Sequence, residues 1–206
     1  MKIKHILKKI YFFPWSFLCR IKFLLKNVKC GSNLEIVGNI WIKNKGNIRI
    51  GKNVRIRSGA WANPIGCGNK SFINVFRGGN LSIGNHVKMS NVGISCQEKI
   101  QIEDEVMIGG GTCIWDTDFH SMNLSVRMQL VDEKEHPKTA PILVKRGAFI
   151  GAGCYILKGT TIGENSIIGA ASVVSREIPS NQVWAGNPAK FIRNLKPEEI
   201  NVREKK

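Results

Sequence analysis

Aliphatic side chains recur at every sixth position near the C-terminal end of this chain. The run consists of Val144, Ile150, Ile156, Ile162, Ile168 and Val174. An α-helix repeats every 3.6 residues or so and a simple strand every two, so neither requires a strict period of six. A flattened coil of three short strands does require it, because each strand contributes one inward aliphatic residue before the chain turns. Gly follows three of the six directly, which suits a tight corner.

The same period continues upstream. It links Ile102, Ile108 and Ile114, and shorter stretches join Ile50 to Ile56 and Ile83 to Met89. The pattern predicts a parallel β-solenoid of about six coils, each of about 18 residues, over residues 36–115 and 142–179. An ordinary β-sandwich with regular turns is the competing architecture, but it does not require this register. The aromatic content of only 8% favours the solenoid, whose core is an aliphatic prism.

The first thirty residues form a separate segment, with eight Lys or Arg residues and no acid. Their apolar residues have helical spacing, with Pro14 as a break. Arg20 and Lys22 interrupt the apolar run, so no span is long enough to cross a membrane. Two compatible interpretations stay open: a helical cap on the open end of the solenoid, or a basic, aromatic-rich helix on the anionic inner face of a membrane.

Charge and cysteine content bear on the partners and the cellular compartment of the protein. The net charge of +16 is compatible with nucleic-acid binding, but no recognised motif for it is present, so we expect no nucleic-acid partner. The six cysteines form no C-x-x-C pair, and several occupy positions where the repeat needs a small apolar side chain. We interpret them as reduced, inert thiols, which predicts a cytoplasmic protein.

The repeat is interrupted after Trp115 and resumes at Ile142. A long excursion from a regular scaffold is usually functional, and residues 116–141 begin with the sequence D-T-D-F-H-S. His120 is the candidate general base, because histidine accepts a proton near neutral pH. Asp116 or Asp118 could orient its ring, and the sequence does not distinguish between them. The alternative is that His120 is an ordinary solvated loop histidine.

Three motifs resemble those of the hexapeptide-repeat acyltransferases, and more narrowly those of the sugar and polysaccharide O-acetyltransferases. They are D-T-D-F-H-S at 116–121, I-G-A-G-C-Y-I-L-K-G-T-T-I-G at 150–163, and V-V-S-R-E-I-P-S-N-Q-V-W-A-G-N-P-A-K-F-I-R at 173–193. The resemblance covers roughly residues 31–193. It implies an all-β fold, a left-handed parallel β-helix with an N-terminal helical segment, an extruded loop and a short C-terminal helix. The expected domains are residues 1–30, a β-helix over 31–187 and a C-terminal extension over 188–206.

The resemblance also implies a reaction and its participants. It implies a homotrimer with active sites between adjacent solenoids, acetyl-CoA as donor and no metal. His120 would deprotonate an acceptor hydroxyl, whose oxygen attacks the thioester directly. The remaining roles carried over are pantetheine contacts at Ala152, Gly169 and Ala170, CoA phosphate contacts at Lys190 and Arg193, adenine stacking at Trp184, and acceptor contacts at Asn91 and Trp115.

The expected function is therefore O-acetylation of a sugar hydroxyl in surface polysaccharide or glycan biosynthesis. N-acetylation of an amino sugar stays open, because the same base serves an amine. A non-catalytic β-solenoid scaffold is the other alternative. A zinc enzyme of the γ-carbonic-anhydrase type is disfavoured, because the four histidines lack the paired H-x4-H spacing.

Overall fold

The protein is a left-handed parallel β-helix of six coils in a computed structural model that describes residues 17–63, 70–129 and 137–200. A helix, α1, covers residues 17–25 and precedes the first coil. The first three coils are β1 (Val28–Cys30), β2 (Glu35–Gly38) and β3 (Trp41–Asn44); β4 (Asn47–Ile50), β5 (Arg55–Ser58) and β6 (Phe72–Val75); and β7 (Asn80–Ile83), β8 (Lys88–Ser90) and β9 (Gly93–Cys96).

The second half of the chain continues the same winding after a loop that contains a short helix. Coil 4 consists of β10 (Lys99–Ile102), β11 (Met107–Ile108) and β12 (Cys113–Trp115), and the loop after it contains α2 (Leu124–Arg127). Coil 5 consists of β13 (Ile142–Val144), β14 (Phe149–Ile150) and β15 (Tyr155–Ile156), and coil 6 of β16 (Thr161–Ile162), β17 (Ile167–Ile168) and β18 (Val173–Val174). The C-terminal elements are β19 (Gln182–Ala185), β20 (Lys190–Asn194) and α3 (Pro197–Ile200).

The first, second and third strands of successive coils stack into three parallel sheets, named sheets A, B and C here. Val144 pairs with Ile162 in sheet A, and Ile150 pairs with Ile168 in sheet B, each three repeats later. All six aliphatic residues of the run that begins at Val144 are completely buried. The six-residue period therefore reports the inward positions of a β-helix, as the sequence predicted.

Small polar residues fill the corners between the sheets. Thr112, Thr160, Ser166 and Ser172 are fully buried. Their hydroxyl groups donate to backbone carbonyls; Ser172, for example, donates to Gly169 O at 2.6 Å. A buried hydroxyl is tolerated only when it is hydrogen-bonded, so these corners combine a small volume with an internal partner.

Helix α1 caps the N-terminal end of the β-helix. Cys19 and Phe23 point inward and join the hydrophobic core. The Arg20 guanidinium donates to Leu34 O at 3.2 Å, and Lys22 Nζ donates to Ile40 O at 3.0 Å. The capping interpretation thus holds for the described part of this segment, while residues 1–16, with the predicted break at Pro14, lie outside the described residues.

Two insertions leave the regular winding, and both coincide with irregular stretches of sequence. Residues 59–71 join β5 to β6 at the corner between sheets B and C. Residues 116–141, the extruded loop, leave sheet C after β12 and return to sheet A at β13. At the C-terminal end, β19 extends sheet B and pairs antiparallel with β20, which closes the stack with a hairpin.

Candidate functional site

The extruded loop has a closed neck. Thr117 and Thr139 form an antiparallel bridge. On either side of it, Asp118 N donates to Lys138 O at 3.1 Å and Ala140 N donates to Asp116 O at 3.1 Å. Because both ends of the loop are paired with each other, the segment from 117 to 121 has a fixed position beside the end of β12.

The imidazole of His120 is exposed at the tip of a tight turn in this segment. His120 N donates to Asp118 O at 2.8 Å, and Phe119 N donates to Thr117 Oγ1 at 3.1 Å. Phe119 has a φ of 62°, a left-handed conformation that is uncommon for a bulky residue and often occurs at functional sites. Within the described ranges, the imidazole has no hydrogen bond or ion pair.

The carboxylate of Asp118 faces a lysine rather than the histidine. Lys158 Nζ lies 3.2 Å from Asp118 Oδ1, with both side chains about 30% exposed. Lys158 follows β15 in the next coil, so this pair fastens the extruded loop to the β-helix. The sequence pattern proposed Asp118 as an orienting group for His120; in this structure it orients the loop.

Asp116 has a different, structural environment. It is completely buried, and its Oδ1 and Oδ2 accept hydrogen bonds from Gln97 N at 2.7 Å and Glu98 N at 2.8 Å. Its negative charge adds to the burial of the neighbouring thiol, and together they raise the pKa of Cys96 to about 12. These contacts anchor the base of the loop to the coil below, which is a structural role for this carboxylate.

Three aromatic side chains surround the base of the loop. Trp115 lies edge-on to Phe119, with ring centroids 5.6 Å apart, and also contacts Tyr155 at 5.6 Å. Phe119 and Tyr155 are 39% and 44% exposed. Exposed aromatic faces at the base of the loop offer a stacking surface to a ring-shaped ligand. Trp115 was expected here from the sequence, whereas Phe119 and Tyr155 were not.

Small residues form a smooth ridge at the corner between sheets B and C. A Cβ added to Gly151 would lie 2.6 Å from Ala170 N, and one added to Gly109 would lie 2.5 Å from Ala152 N. Gly169 occupies the next level, where a Cβ would lie 2.8 Å from Ala185 Cβ. The structure therefore brings Ala152, Gly169 and Ala170 together at one corner, with Ala170 exposed.

The C-terminal candidates lie on the closing hairpin rather than on a helix. The Trp184 indole is half-buried, donates to Gln182 Oε1 at 2.8 Å and contacts Phe191 edge-on. The Arg193 guanidinium makes a two-pronged contact with Glu199 at 2.7 and 2.8 Å, which lowers the pKa of that carboxyl to about 2. Lys190 is exposed at the start of β20 and has no ion pair among the described residues. Of the two cations, Lys190 is the freer to meet a phosphate.

Asn91 is built into the β-helix and does not reach the solvent. It is 2% exposed, and its Oδ1 accepts a hydrogen bond from Gly59 N at 2.8 Å. Asn91 N donates to Arg57 O at 2.8 Å. These contacts hold the insertion after β5 against coil 3, so Asn91 fits a structural role better than the expected contact with an acceptor.

One chain does not bring the two halves of the expected site together. Each strand of sheet C runs from the B–C corner to the C–A corner. The ridge with Ala152 precedes β15, whereas His120 follows β12. The candidate base and the small-residue ridge therefore lie at opposite edges of the same sheet.

The described residues contain neither a cluster of metal ligands nor a membrane-spanning helix. Among residues 17–63, 70–129 and 137–200, no three His, Cys, Asp or Glu side chains converge as ligands for a metal ion. No helix in this part of the chain is long and apolar enough to span a bilayer. The five cysteines that the structure describes are all free, while Cys67 lies outside it.

The C-terminal repeats match a known family model. Residues 141–176 match the model described as bacterial transferase hexapeptide (six repeats). Galactoside O-acetyltransferase of Escherichia coli (strain K12) is 34% identical over 129 residues, which cover 62% of this chain and 58% of that protein. The chain spans 45% to 58% of the length of three curated relatives it matches.

Two solved structures have the same architecture. The hexapeptide-repeat acetyltransferase VCA0836 from Vibrio cholerae O1 biovar eltor, complexed with acetyl coenzyme A, is 30% identical with a TM-score of 0.53, over 60% of this chain and 65% of that one. A variant of AntD, an N-acyltransferase from Bacillus cereus, is 22% identical with a TM-score of 0.66, over 89% and 90% of the two chains. The likeness to AntD establishes the fold over most of this chain. Together the matches define a left-handed β-helix protein with the transferase hexapeptide repeat.

Proposed function

We propose that this protein is an acetyl-CoA-dependent O-acetyltransferase that modifies a sugar hydroxyl in surface polysaccharide or glycan biosynthesis. The observation that carries the proposal is the exposed imidazole of His120 on a loop that is fastened at its neck, and whose base carries the aromatic cluster of Trp115, Phe119 and Tyr155. The similarity to a galactoside O-acetyltransferase and to an acetyltransferase complexed with acetyl coenzyme A supports the donor and the acceptor class.

The chemistry follows from one general base. His120 accepts the proton of the acceptor hydroxyl as the oxygen attacks the thioester carbonyl. The tetrahedral intermediate then collapses, the C–S bond breaks, and the CoA thiolate takes the proton back from the imidazolium. No covalent acyl-enzyme is needed, so no protein nucleophile is assigned.

We further propose that the active site is completed between chains of a homotrimer. The support is the separation of His120 and the small-residue ridge to opposite edges of sheet C, since a neighbouring β-helix can bring its own ridge to this loop. Trp41 is 47% exposed on the outer face of sheet C, and an exposed aromatic residue of this kind is typical of a surface covered by a partner. The pantetheine arm would then lie along Ala152, Gly169 and Ala170, with Trp184 and Lys190 at the nucleotide end.

The sharing of the site can be tested by mixing two inactive variants. His120→Ala removes the base, and Ala170→Trp blocks the exposed ridge. If each site takes one element from each of two chains, mixed trimers regain activity, because some interfaces hold both wild-type elements. If each chain forms its own site, mixing restores nothing.

The N-terminal segment bears on where in the cell the protein acts. We propose a cytoplasmic protein that contacts the inner face of the membrane through residues 1–30. On α1, Cys19 and Phe23 are buried, while the opposite side presents five exposed apolar residues: Phe17, Leu18, Ile21, Leu24 and Leu25. The surrounding segment carries eight cations and no acid, a combination that favours an anionic bilayer. An acceptor carried on a lipid would be presented at this surface.

The first experiment is calorimetric titration of CoA into the full chain, with the oligomer mass measured on the same sample. Micromolar binding near one CoA per chain supports the donor, and His120→Ala should then abolish acetyl transfer while leaving CoA affinity unchanged. A folded protein that does not bind CoA would instead be a β-helical scaffold. Parallel assays with hydroxyl and amino sugars decide between O- and N-acetylation.

A further inference from the structure

A groove on the outer face of sheet B has features that the proposed chemistry does not yet use. It runs beside the insertion after β5 and is lined by Arg57, Asn63, Lys88, Gly109, Gly110 and Phe149, among others. Arg55 also lines it, but its guanidinium is paired with Glu35 at 2.9 Å. None of the described residues that line the groove is acidic. The groove is therefore positively charged, with an apolar wall at Phe149.

Two of its cations are not neutralised within the part of the chain that the structure describes. Arg57 and Lys88 are exposed and have no ion pair there. They lie on β5 and β8, which are neighbouring strands. Like charges held on adjacent strands repel each other, and a bound anion removes that penalty.

A buried amide gives a second, independent indication of a ligand. Asn63 is 5% exposed, and its Nδ2 has no hydrogen-bond partner among the residues that the structure describes. A buried donor without a partner is destabilising because its lost hydration is not replaced, so such groups are rare and usually have a reason. An acceptor oxygen in the groove would satisfy this donor and meet both cations.

The groove also adjoins the ridge of small residues. Gly109 and Gly110 line the groove, and Gly109 stacks directly on Ala152. A molecule held by Arg57 and Lys88 would thus lie next to the surface proposed for the pantetheine arm.

We propose that this groove is a subsite for a negatively charged group, phosphate or carboxylate, on the sugar acceptor. Arg57 and Lys88 contact the charged oxygens, Asn63 Nδ2 donates to one of them, and the sugar ring rests on Phe149. The inference rests on the proposed acetyl transfer, and it narrows the acceptor from any sugar to an anionic one.

The test compares three probes on the full chain by saturation-transfer NMR: glucose 1-phosphate, glucuronic acid and neutral glucose. We expect at least one anionic probe to bind about tenfold or more tightly than glucose, and the two anionic probes separate a phosphate from a carboxylate. Arg57→Gln and Lys88→Gln should each weaken the binding of that anionic probe about fivefold to tenfold. Arg49→Gln on sheet A removes an equal charge outside the groove and should change nothing. Equal, weak binding of all three probes to the wild type overturns the proposal.

Asn63→Leu tests whether the Asn63 amide donates a hydrogen bond to a bound anion or serves only the fold. The substitution removes the amide at similar size, so we expect weaker anion binding with an unchanged or higher melting temperature. Anion binding that is unaffected by this change would mean that the amide serves only the fold, and the subsite as proposed would be wrong.

CoA titration of the same variants distinguishes an acceptor subsite from a donor site. Unchanged CoA affinity in Arg57→Gln and Lys88→Gln is expected. Loss of CoA affinity would assign the groove to the donor phosphates, and loss of the trimer mass would assign it to the subunit interface; either result rejects the acceptor subsite. A wild type that does not bind CoA rejects the proposed function itself, whatever the sugar probes do.

Discussion

Lys158 Nζ lies 3.2 Å from Asp118 Oδ1, although the two residues are separated by the greater part of the extruded loop and by coil 5. Gly159 N reinforces the same junction by donating to Ala140 O at 3.1 Å. The position of His120 relative to the β-helix therefore depends on a contact between the loop and the following coil. Lys158 is a positioning residue in this arrangement, because it acts on His120 only through the loop.

The first prediction concerns this ion pair. Lys158→Met should lower kcat about tenfold, since a small displacement of a catalytic group is enough for such a loss. CoA affinity and the midpoint of urea unfolding should change little, because a partly exposed pair contributes only about 0–1 kcal/mol. Lys158→Arg should restore most of the activity, and Lys99→Met on sheet A is the matched control. A fall in stability that accounts for the lost activity would contradict a positioning role.

The second prediction separates the two aspartates of the D-T-D-F-H sequence. Asp116→Ala should destabilise the protein by about 2–4 kcal/mol, because it leaves the backbone N–H groups of Gln97 and Glu98 without their charged acceptor. Asp104 is a useful comparison, since it makes the same type of contact with Asn85 N but is less buried. Asp104→Ala should therefore cost less in urea unfolding. An Asp116→Ala variant with wild-type stability and no activity would return this residue to a catalytic role.

The third prediction concerns alkaline pH. Burial and the adjacent Asp116 raise the pKa of the Cys96 thiol from 9.0 to about 12. As the pH rises past 9, the unfolded chain loses this proton while the folded chain keeps it, so the free energy of unfolding falls. Between pH 8 and pH 10 the thiol should account for a loss of about 1 kcal/mol.

Urea unfolding of the wild type and Cys96→Ala at both pH values measures this loss. The variant is less stable at each pH because it leaves a small cavity, so only the change between the two pH values is compared. The other thiols whose pKa is raised are present in both proteins, so their contributions to this change cancel in the comparison. An equal change in the two proteins would mean that Cys96 titrates normally in the folded state.

The sequence predicted the coils well because each inward position is decided locally. Ile114 and Ile156 face the same core, and each belongs to a run of aliphatic residues spaced six apart, which marks it as an inward position. The surroundings of His120 could not be read in the same way. Tyr155 contacts Trp115 and Lys158 contacts Asp118 only because the extruded loop returns in register with the next coil, which the length of the loop does not reveal.

The two aspartates illustrate the same limit. The sequence offers Asp116 and Asp118 equally as partners of His120, since both are near it along the chain. Their actual partners, Gln97 and Lys158, are on the coils below and above. The aliphatic positions are specified by the repeat, whereas polar partners depend on which coils stack on each other.

The last prediction concerns the outer side of α1. Leu24 and Leu25 are 75% and 76% exposed, and the inward side of the helix is held by Phe23 and Cys19. Changing Leu24 and Leu25 together to Ser removes apolar area of the kind that enters the acyl boundary of a bilayer. The buried side is untouched, so the β-helix should keep its melting temperature.

Sedimentation with vesicles containing anionic lipid measures the effect. The wild type should sediment with these vesicles, less so with neutral ones and less at high salt, because the cations of the segment contribute about 1 kcal/mol each near an anionic surface. Leu24→Ser with Leu25→Ser should reduce sedimentation about tenfold, whereas Ser82→Ala on sheet A should leave it unchanged. If the double variant sediments like the wild type, the exposed side of α1 does not contact lipid. If it loses the trimer mass instead, that side belongs to a contact between chains.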